Sequence, residues 1–259
     1  MRASEEQRKK RYQPAAPREL GPFDGLLIVD KPAGPTSHDI VHNVRKNFSI
    51  KKVGHGGTLD PQATGVLILL LGKATKQSRY FISCDKSYEG TMHLGVSTDT
   101  QDMEGNVLKE RDPAGITAEL VEEEMKKFSG DLLQKPPMVS AVKVNGVPLY
   151  KKARKGEVVE RKAKLVHIYD FRMLQFDMPR MNFRLRCSKG TYVRTLCSDL
   201  GENLGCGAYL ERLRRTQCGE YGISDAVAFS RVMEMNSDEL AQVVMPLSRI
   251  LPFQGPARP

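Results

Sequence analysis

Gly54-His-Gly-Gly-Thr-Leu-Asp-Pro-Gln-Ala-Thr-Gly65 sets one imidazole, His55, and one carboxylate, Asp60, among four glycines. Such a turn exposes backbone N–H groups and lets a partner approach the chain closely. It lacks the G-K-[ST] ending of a P-loop, and Leu59-Asp60-Pro61 is unlike a dinucleotide turn. From the residues alone, Asp60 is either a reactive carboxylate or a side chain that satisfies turn amides.

The segments on either side set the fold class. Upstream, FDGLLIVD (Phe23–Asp30) reads as a strand stopped by Lys31-Pro32. Thr36 or Ser37 then caps a helix with Ile40, Val41, Val44 and Phe48 on one face. Downstream, Val66–Leu71 is an apolar run too short for a membrane span and ended by Gly72, so it reads as a buried strand. Ala74–Ile82 reads as helix, Ser87–Val96 as strand, and Thr117 as the cap of a helix with Leu120, Val121, Met125 and Phe128 inward. Met138–Val144 reads as a strand running into an Asn145-Gly146 hairpin turn, followed by a basic helix over Leu149–Lys155. Leu165–Leu174 and Asn182–Ser188 read as strands, and Gly190-Thr191 leads into a helix with Val193, Leu196, Leu200 and Leu204 on one stripe. Irregular interleaving with a hairpin favours an α+β fold with a mixed, mainly antiparallel central sheet over a doubly wound one.

Forty Lys and Arg against 31 acids leave a net charge of +9, which suits a polyanionic partner. With no Trp, stacking on bases falls to the 8 Tyr and 9 Phe. Cys84, Cys187, Cys197, Cys206 and Cys218 are odd in number and contain no C-x-x-C, which fits reduced thiols and a cytoplasmic location. Residues 1–20 are polar and basic with no apolar signal core, and read as a disordered arm. Residues 21–253 read as one domain with an insertion around 130–160, and 254–259 as a short tail.

Three further groups bear on chemistry. His38 and His42 stand at i and i+4, as in a zinc helix, but Asp39 is shorter than the Glu of that helix and no third ligand is near in sequence. Polar surface histidines are the better reading. Lys189-Gly-Thr-Tyr-Val-Arg194 sits at a strand-to-helix junction, as an anion site or a plain helix cap. Tyr150 with Lys151-Lys-Ala-Arg-Lys155 is either an RNA grip or a solvated face.

Five blocks, taken together, resemble the TruB family of tRNA pseudouridine synthases. They are GLLIVDKPAGPTSHDIV, KVGHGGTLDPQATGVLILLLGKATK, DKSYEGTMHLGVSTDTQDMEG, PPMVSAVKVNGVPLYKKARKGE and CSKGTYVRTLCSDLGENLGCGAYLERLRRT, in family order and covering roughly Gly21 to Thr216. The resemblance implies the pseudouridine synthase fold and isomerisation of uridine 55 in the T loop of tRNA. It also implies no cofactor or metal, the tRNA T arm as partner, and nothing that requires a dimer. Asp60 aligns with the family's nucleophile, and an Asp of ordinary pKa is ionised at neutral pH. Arg194 aligns with its ion-pair partner and Tyr88 with the tyrosine that stacks on the target base. Tyr192 and Leu213 align with the uracil pocket, His55 with the histidine that holds the opened loop after base flipping. Lys76 and Arg154 are phosphate and RNA contacts on the same grounds. Gly56 stands where bacterial members commonly carry Thr, which is expected to loosen the turn. The chain is expected to be a short form without a full C-terminal RNA-binding module.

Overall fold

The computed structural model describes residues 20–140, 143–144, 146–149, 152, 157 and 159–250. The basic arm apart from Leu20, the basic patch apart from Lys152, Arg154 and the tail 254–259 therefore lie outside the described residues.

Strand β1 (Gly25–Lys31) leads to helix α1 (Ser37–Asn47). Thr36 caps α1 in a reciprocal box: its hydroxyl accepts from Asp39 N, and the Asp39 carboxylate accepts from Thr36 N. A cap of this kind contributes about 1 kcal/mol. Ile40, Val41 and Val44 are buried as the helical spacing requires. Short β2 (Val53–His55) precedes the glycine loop, which runs into β3 (Thr64–Leu71). Ala74–Ile82 is helical in two pieces, a 3-10 turn over Gly72–Gln77 and helix α2 (Ser78–Ser83).

Next come β4 (Lys86–Leu94), the hairpin β5 (Val96–Thr98) and β6 (Val107–Glu110), helix α3 (Ala118–Lys126) and β7 (Gly130–Gln134). Thr117 caps α3 through Leu120 N, but Leu120 faces solvent while Val121, Met125 and Phe128 are buried. The segment expected as a strand from Met138 is bent as far as Ser140. Among its described residues only Lys143–Val144 (β8) pairs, antiparallel with Val147–Pro148 (β9), around the expected hairpin turn. Pro136 and Pro137 remove ladder donors just before it, which disfavours a longer strand.

The remaining frame is β10 (Lys164–Asp177), β11 (Arg180–Cys187), helix α4 (Val193–Asn203) and β12 (Ala208–Cys218). Then follow β13 (Tyr221–Gly222), β14 (Val227–Ala228), helices α5 (Phe229–Glu234) and α6 (Ser237–Val243), β15 (Met245–Pro246) and helix α7 (Leu247–Ile250).

One large sheet has the order β14-β1-β3-β12-β4-β11-β10-β7 and is mainly antiparallel. β1 and β3 are buried on both faces, which explains the unbroken apolar run VLILLL. Leu27, Val29, Leu67, Leu69 and Leu71 belong to the main core, with α1 and α4. Leu26, Ile28, Val66, Ile68 and Leu70 belong to a second core, with Phe81, Tyr221 and Leu247. Each fully buried aliphatic side chain of this kind contributes about 1.5–3 kcal/mol.

The sheet is weakest at its middle. β3 meets β12 in parallel through only Thr64–Arg214 and Gly65–Arg215. Gly65 makes this approach possible: its φ is +99°, and a Cβ there would stand 2.2 Å from the Arg215 carbonyl oxygen. Upstream of that contact the chain leaves the sheet as the loop 56–63, so a cleft opens where the half-sheets part.

Candidate active site

The loop that carries Asp60 has no ladder to satisfy its carbonyls, and three buried side chains take that role. Arg215 donates from Nε to Val66 O (2.7 Å), from NH1 to Thr58 O (3.3 Å) and from NH2 to Gly57 O (3.1 Å). Ser37 Oγ donates to Leu59 O at 3.0 Å and accepts from Leu59 N at 2.9 Å. Lys31 Nζ donates to the carbonyls of Pro32, Pro61 and Ala63 at 2.9, 2.8 and 2.7 Å. All three side chains belong to residues with no more than 1% of their surface exposed. Burial pulls the Lys31 ammonium down to about 8, with Asp60 opposing. The result is a rigid irregular loop, the preorganisation a reactive group requires.

Gly56 does not loosen this loop. It is buried, donates to Ile68 O at 2.9 Å, and a Cβ there would lie 2.5 Å from Phe81 Cβ. In this chain α2 occupies the room a larger residue needs.

Asp60 lies at the edge of a cavity of about 290 Å³ that also takes in Tyr88, Tyr192, Arg194, Leu213 and Arg215. Arg194 Nε stands 3.0 Å from Asp60 Oδ2. That N–H is not aligned as a hydrogen bond, so the contact is an ion pair that leaves the carboxylate lone pairs unclaimed. The guanidinium itself is fixed from behind. NH1 donates to Asp102 Oδ2 (3.0 Å) and Thr100 O (3.2 Å), and NH2 to Val139 O (2.8 Å). Gln134 holds the junction before α4 by two bonds: Tyr192 N donates to its Oε1 (2.7 Å) and its Nε2 donates to Tyr192 O (2.9 Å).

Asp60 is not an aspartate of ordinary pKa, as the sequence had suggested. Desolvation raises it, Arg194 is the chief opposing influence, and the Asp102 charge raises it further. The side chain keeps 47% of its surface open to the cleft, so water screens the carboxylate and the burial penalty is partial. Tyr88 is pushed up to about 12 by burial, against the facing Arg215 guanidinium, so its phenol is a proton donor and not a base at neutral pH.

His55 stands on β2, just ahead of the loop, and Gly57 N donates weakly to its Nδ1 (3.4 Å). Burial lowers its pKa, helped by Arg215 and His38, which favours the neutral ring. Lys76 is exposed on the 3-10 turn, away from the cavity. His38 and His42 are exposed on α1, and among the described residues no three His, Cys, Asp or Glu side chains cluster as for a metal. All five cysteines are free. Among the described residues no helix is long and apolar enough to cross a membrane. The fold thus brings Asp60, Tyr88, Tyr192, Arg194 and Leu213 together, adds Lys31, Ser37, Asp102, Gln134 and Arg215, and leaves Lys76 outside. Each added residue except Gln134 lies in a quoted motif block, but nothing in spacing marked its role.

Comparison with known proteins identifies the family. The model of the TruB family pseudouridylate synthase N-terminal domain matches residues 45–193. The chain belongs to the TruB family. A second model, the tRNA pseudouridylate synthase B C-terminal domain, matches residues 194–252, which carry β12, β14 and β15 of the same sheet. The tRNA pseudouridine synthase B of Opitutus terrae is 47% identical over 230 residues, 89% of this chain and 95% of that protein. That of Geotalea uraniireducens is 50% identical over 205 residues, 79% of this chain and 66% of that protein. Among solved structures, a chain of a Cbf5-Nop10-Gar1 complex superposes with a TM-score of 0.69 at 27% identity. That match covers 88% of this chain and 61% of the solved one, so this TruB-family chain spans under two thirds of that relative. Family and fold make it a pseudouridine synthase, an isomerase.

Proposed function

We propose that the chain converts uridine 55 in the T loop of tRNA to pseudouridine, with Asp60 as nucleophile and the target nucleotide flipped out of its stack. The observation that carries this reading is the Asp60–Arg194 pair at 3.0 Å, set in a cavity walled by Tyr88 and Leu213. The relatives named as tRNA pseudouridine synthase B support the substrate class.

The chemistry requires little beyond this arrangement. The N1–C1′ bond breaks, the detached uracil turns, and a C5–C1′ bond forms. The C5 hydrogen leaves as a proton and N1 gains one, so product and substrate are isomers. An unaligned ion pair suits a carboxylate that must attack, since Arg194 supplies charge without covering the oxygen lone pairs. Tyr88 and Leu213 offer flat and apolar walls to a base that has left its stack, a step that costs a few kcal/mol. His55 as a neutral imidazole suits stacking against the nucleotides left behind. Lys76 and Arg154 are assigned to the RNA backbone, outside the chemical step. The excess of nine positive charges favours tRNA binding by phosphate neutralisation.

The test is tritium release from tRNA carrying [5-³H]uridine, because bond formation at C5 expels that hydrogen. Wild type is expected to release close to one equivalent per tRNA and Asp60→Asn none. Release that survives in Asp60→Asn would remove Asp60 from its role. Binding without release by wild type would overturn the isomerase reading for this substrate.

A further inference from the structure

The end of β7 and the bent segment after it close one side of the cavity, and their polar groups divide unevenly. The Gln134 amide is spent on the Tyr192 backbone, and the Val139 carbonyl on Arg194 NH2. Ser140 also lines the cavity and is 6% exposed, yet its Oγ finds no hydrogen-bond partner among the described residues. The Tyr192 phenol lies close enough to feel the Ser140 hydroxyl, which partly offsets the dominant effect of burial on its pKa. The two groups nevertheless lack the geometry of a bond. A buried hydroxyl left unpaired is costly, and native structures keep such groups where something else completes them.

We propose that Ser140 is a substrate-contacting residue that hydrogen-bonds a carbonyl oxygen of the flipped uracil. This rests on the pseudouridine synthase reading of the cavity.

The chemistry of the base supports a hydroxyl at this point. Uracil turns about its N3···C6 axis to exchange N1 for C5. That rotation also exchanges O2 and O4, so a donor placed beside one carbonyl before the turn faces the other carbonyl after it. A freely rotating Ser O–H holds substrate and product alike and does not oppose the rotation between them. Cytosine puts an amino group in one of the two positions, so one of its orientations lacks the acceptor.

The experiment is a functional-group cycle on a synthetic T-arm hairpin under single-turnover conditions. The target is uridine, 2-thiouridine or 4-thiouridine, and the product is resolved by nucleoside chromatography. Sulfur is the poorer acceptor. Ser140→Ala is expected to lower kcat/KM on uridine about 5- to 10-fold, the size of one hydrogen bond. At least one thio substitution is expected to cost wild type a similar factor and to cost Ser140→Ala nothing more. The free Ser140→Ala protein is expected to melt no lower than wild type, because no hydrogen bond among the described residues is lost. The inference is overturned if Ser140→Ala matches wild type on uridine, or if the losses from both thio positions simply multiply with that of the mutation. A lowered Tm would also overturn it, by revealing a protein partner. Wild type that leaves the uridine hairpin unchanged takes down the pseudouridine synthase reading too, whereas wild type that converts it isolates any failure to Ser140.

Discussion

Replacing Arg215 by Met should unfold the catalytic loop from the inside. The side chain keeps an unbranched apolar stem, ends short of the guanidinium position and loses every donor. Three carbonyls, Gly57 O, Thr58 O and Val66 O, lose a charged partner. Hydrogen bonds from a charged donor contribute about 1.5–3 kcal/mol each, so the gross loss is roughly 5–9 kcal/mol. Removing a buried cation returns several kcal/mol of desolvation, and the net cost of orphaning its partners is about 3–5 kcal/mol. For a domain of this size each kcal/mol shifts Tm by about 2–4 °C, which predicts a fall of roughly 6–20 °C. Circular-dichroism melts read the shift directly. Tritium release, measured where the variant is still folded, should fall about 100-fold if Asp60 is the nucleophile proposed above, because the loop no longer holds it in place. Arg215→Lys keeps the charge, but one ammonium cannot serve carbonyls on both the loop and β3, so it should fall between. A Met variant that melts within 2 °C of wild type and turns over normally would refute the idea that Arg215 organises the loop.

Two other perturbations test the same neighbourhood. Gly56→Ala should cost about 1–3 kcal/mol by overpacking, and Phe81→Ala should not rescue it, because the clash is with Phe81 Cβ at 2.5 Å; urea titrations of the single and double variants check this. With Asp60 as the proposed nucleophile, active only when ionised, the acid limb of kcat/KM should lie above the ordinary aspartate value, since burial raises Asp60. Activity is therefore gained as pH rises through the raised value, and Asp102→Asn, which removes a charge that raises Asp60, should move the limb to lower pH in a pH–rate profile.

Where a segment's own periodicity met a single burial demand, it could be read directly. α1 showed its face through Ile40, Val41 and Val44, and β3 showed double-sided burial through its unbroken apolar run. β12 stayed hidden, although it lies next to β3 and carries Leu213 and Arg215. Its sequence, AYLERLRRTQC, looks like a charged surface segment, because the residue buried between Leu213 and Cys218 is an arginine. No alternation pattern reports a cation turned inward. The same limit hid Asp102, which reaches Arg194 across 92 residues of chain, a contact made by tertiary folding alone. Asp60 was left open by its own turn, between a reactive carboxylate and a side chain that satisfies turn amides, and only the five motif blocks taken together singled it out.

The cations gathered here share a cause. Lys31, Lys86, Arg194 and Arg215 are all buried around a site that holds the carboxylates Asp60 and Asp102. Lys86 donates to the carbonyls of Phe81, Ile82 and Cys84, which end α2, as Lys31 and Arg215 donate to the carbonyls of the loop. A sheet satisfies its own backbone, but a loop leaving the sheet at a cleft exposes carbonyls that no ladder can reach. Multi-donor cations answer that need with few side chains, and they leave net positive charge under the cavity. The residues that hold the irregular loop rigid thus also place cationic charge beneath the cavity. Arg194 differs from the others in having one face turned to a carboxylate it does not fully bind, which is the feature the proposed chemistry draws on.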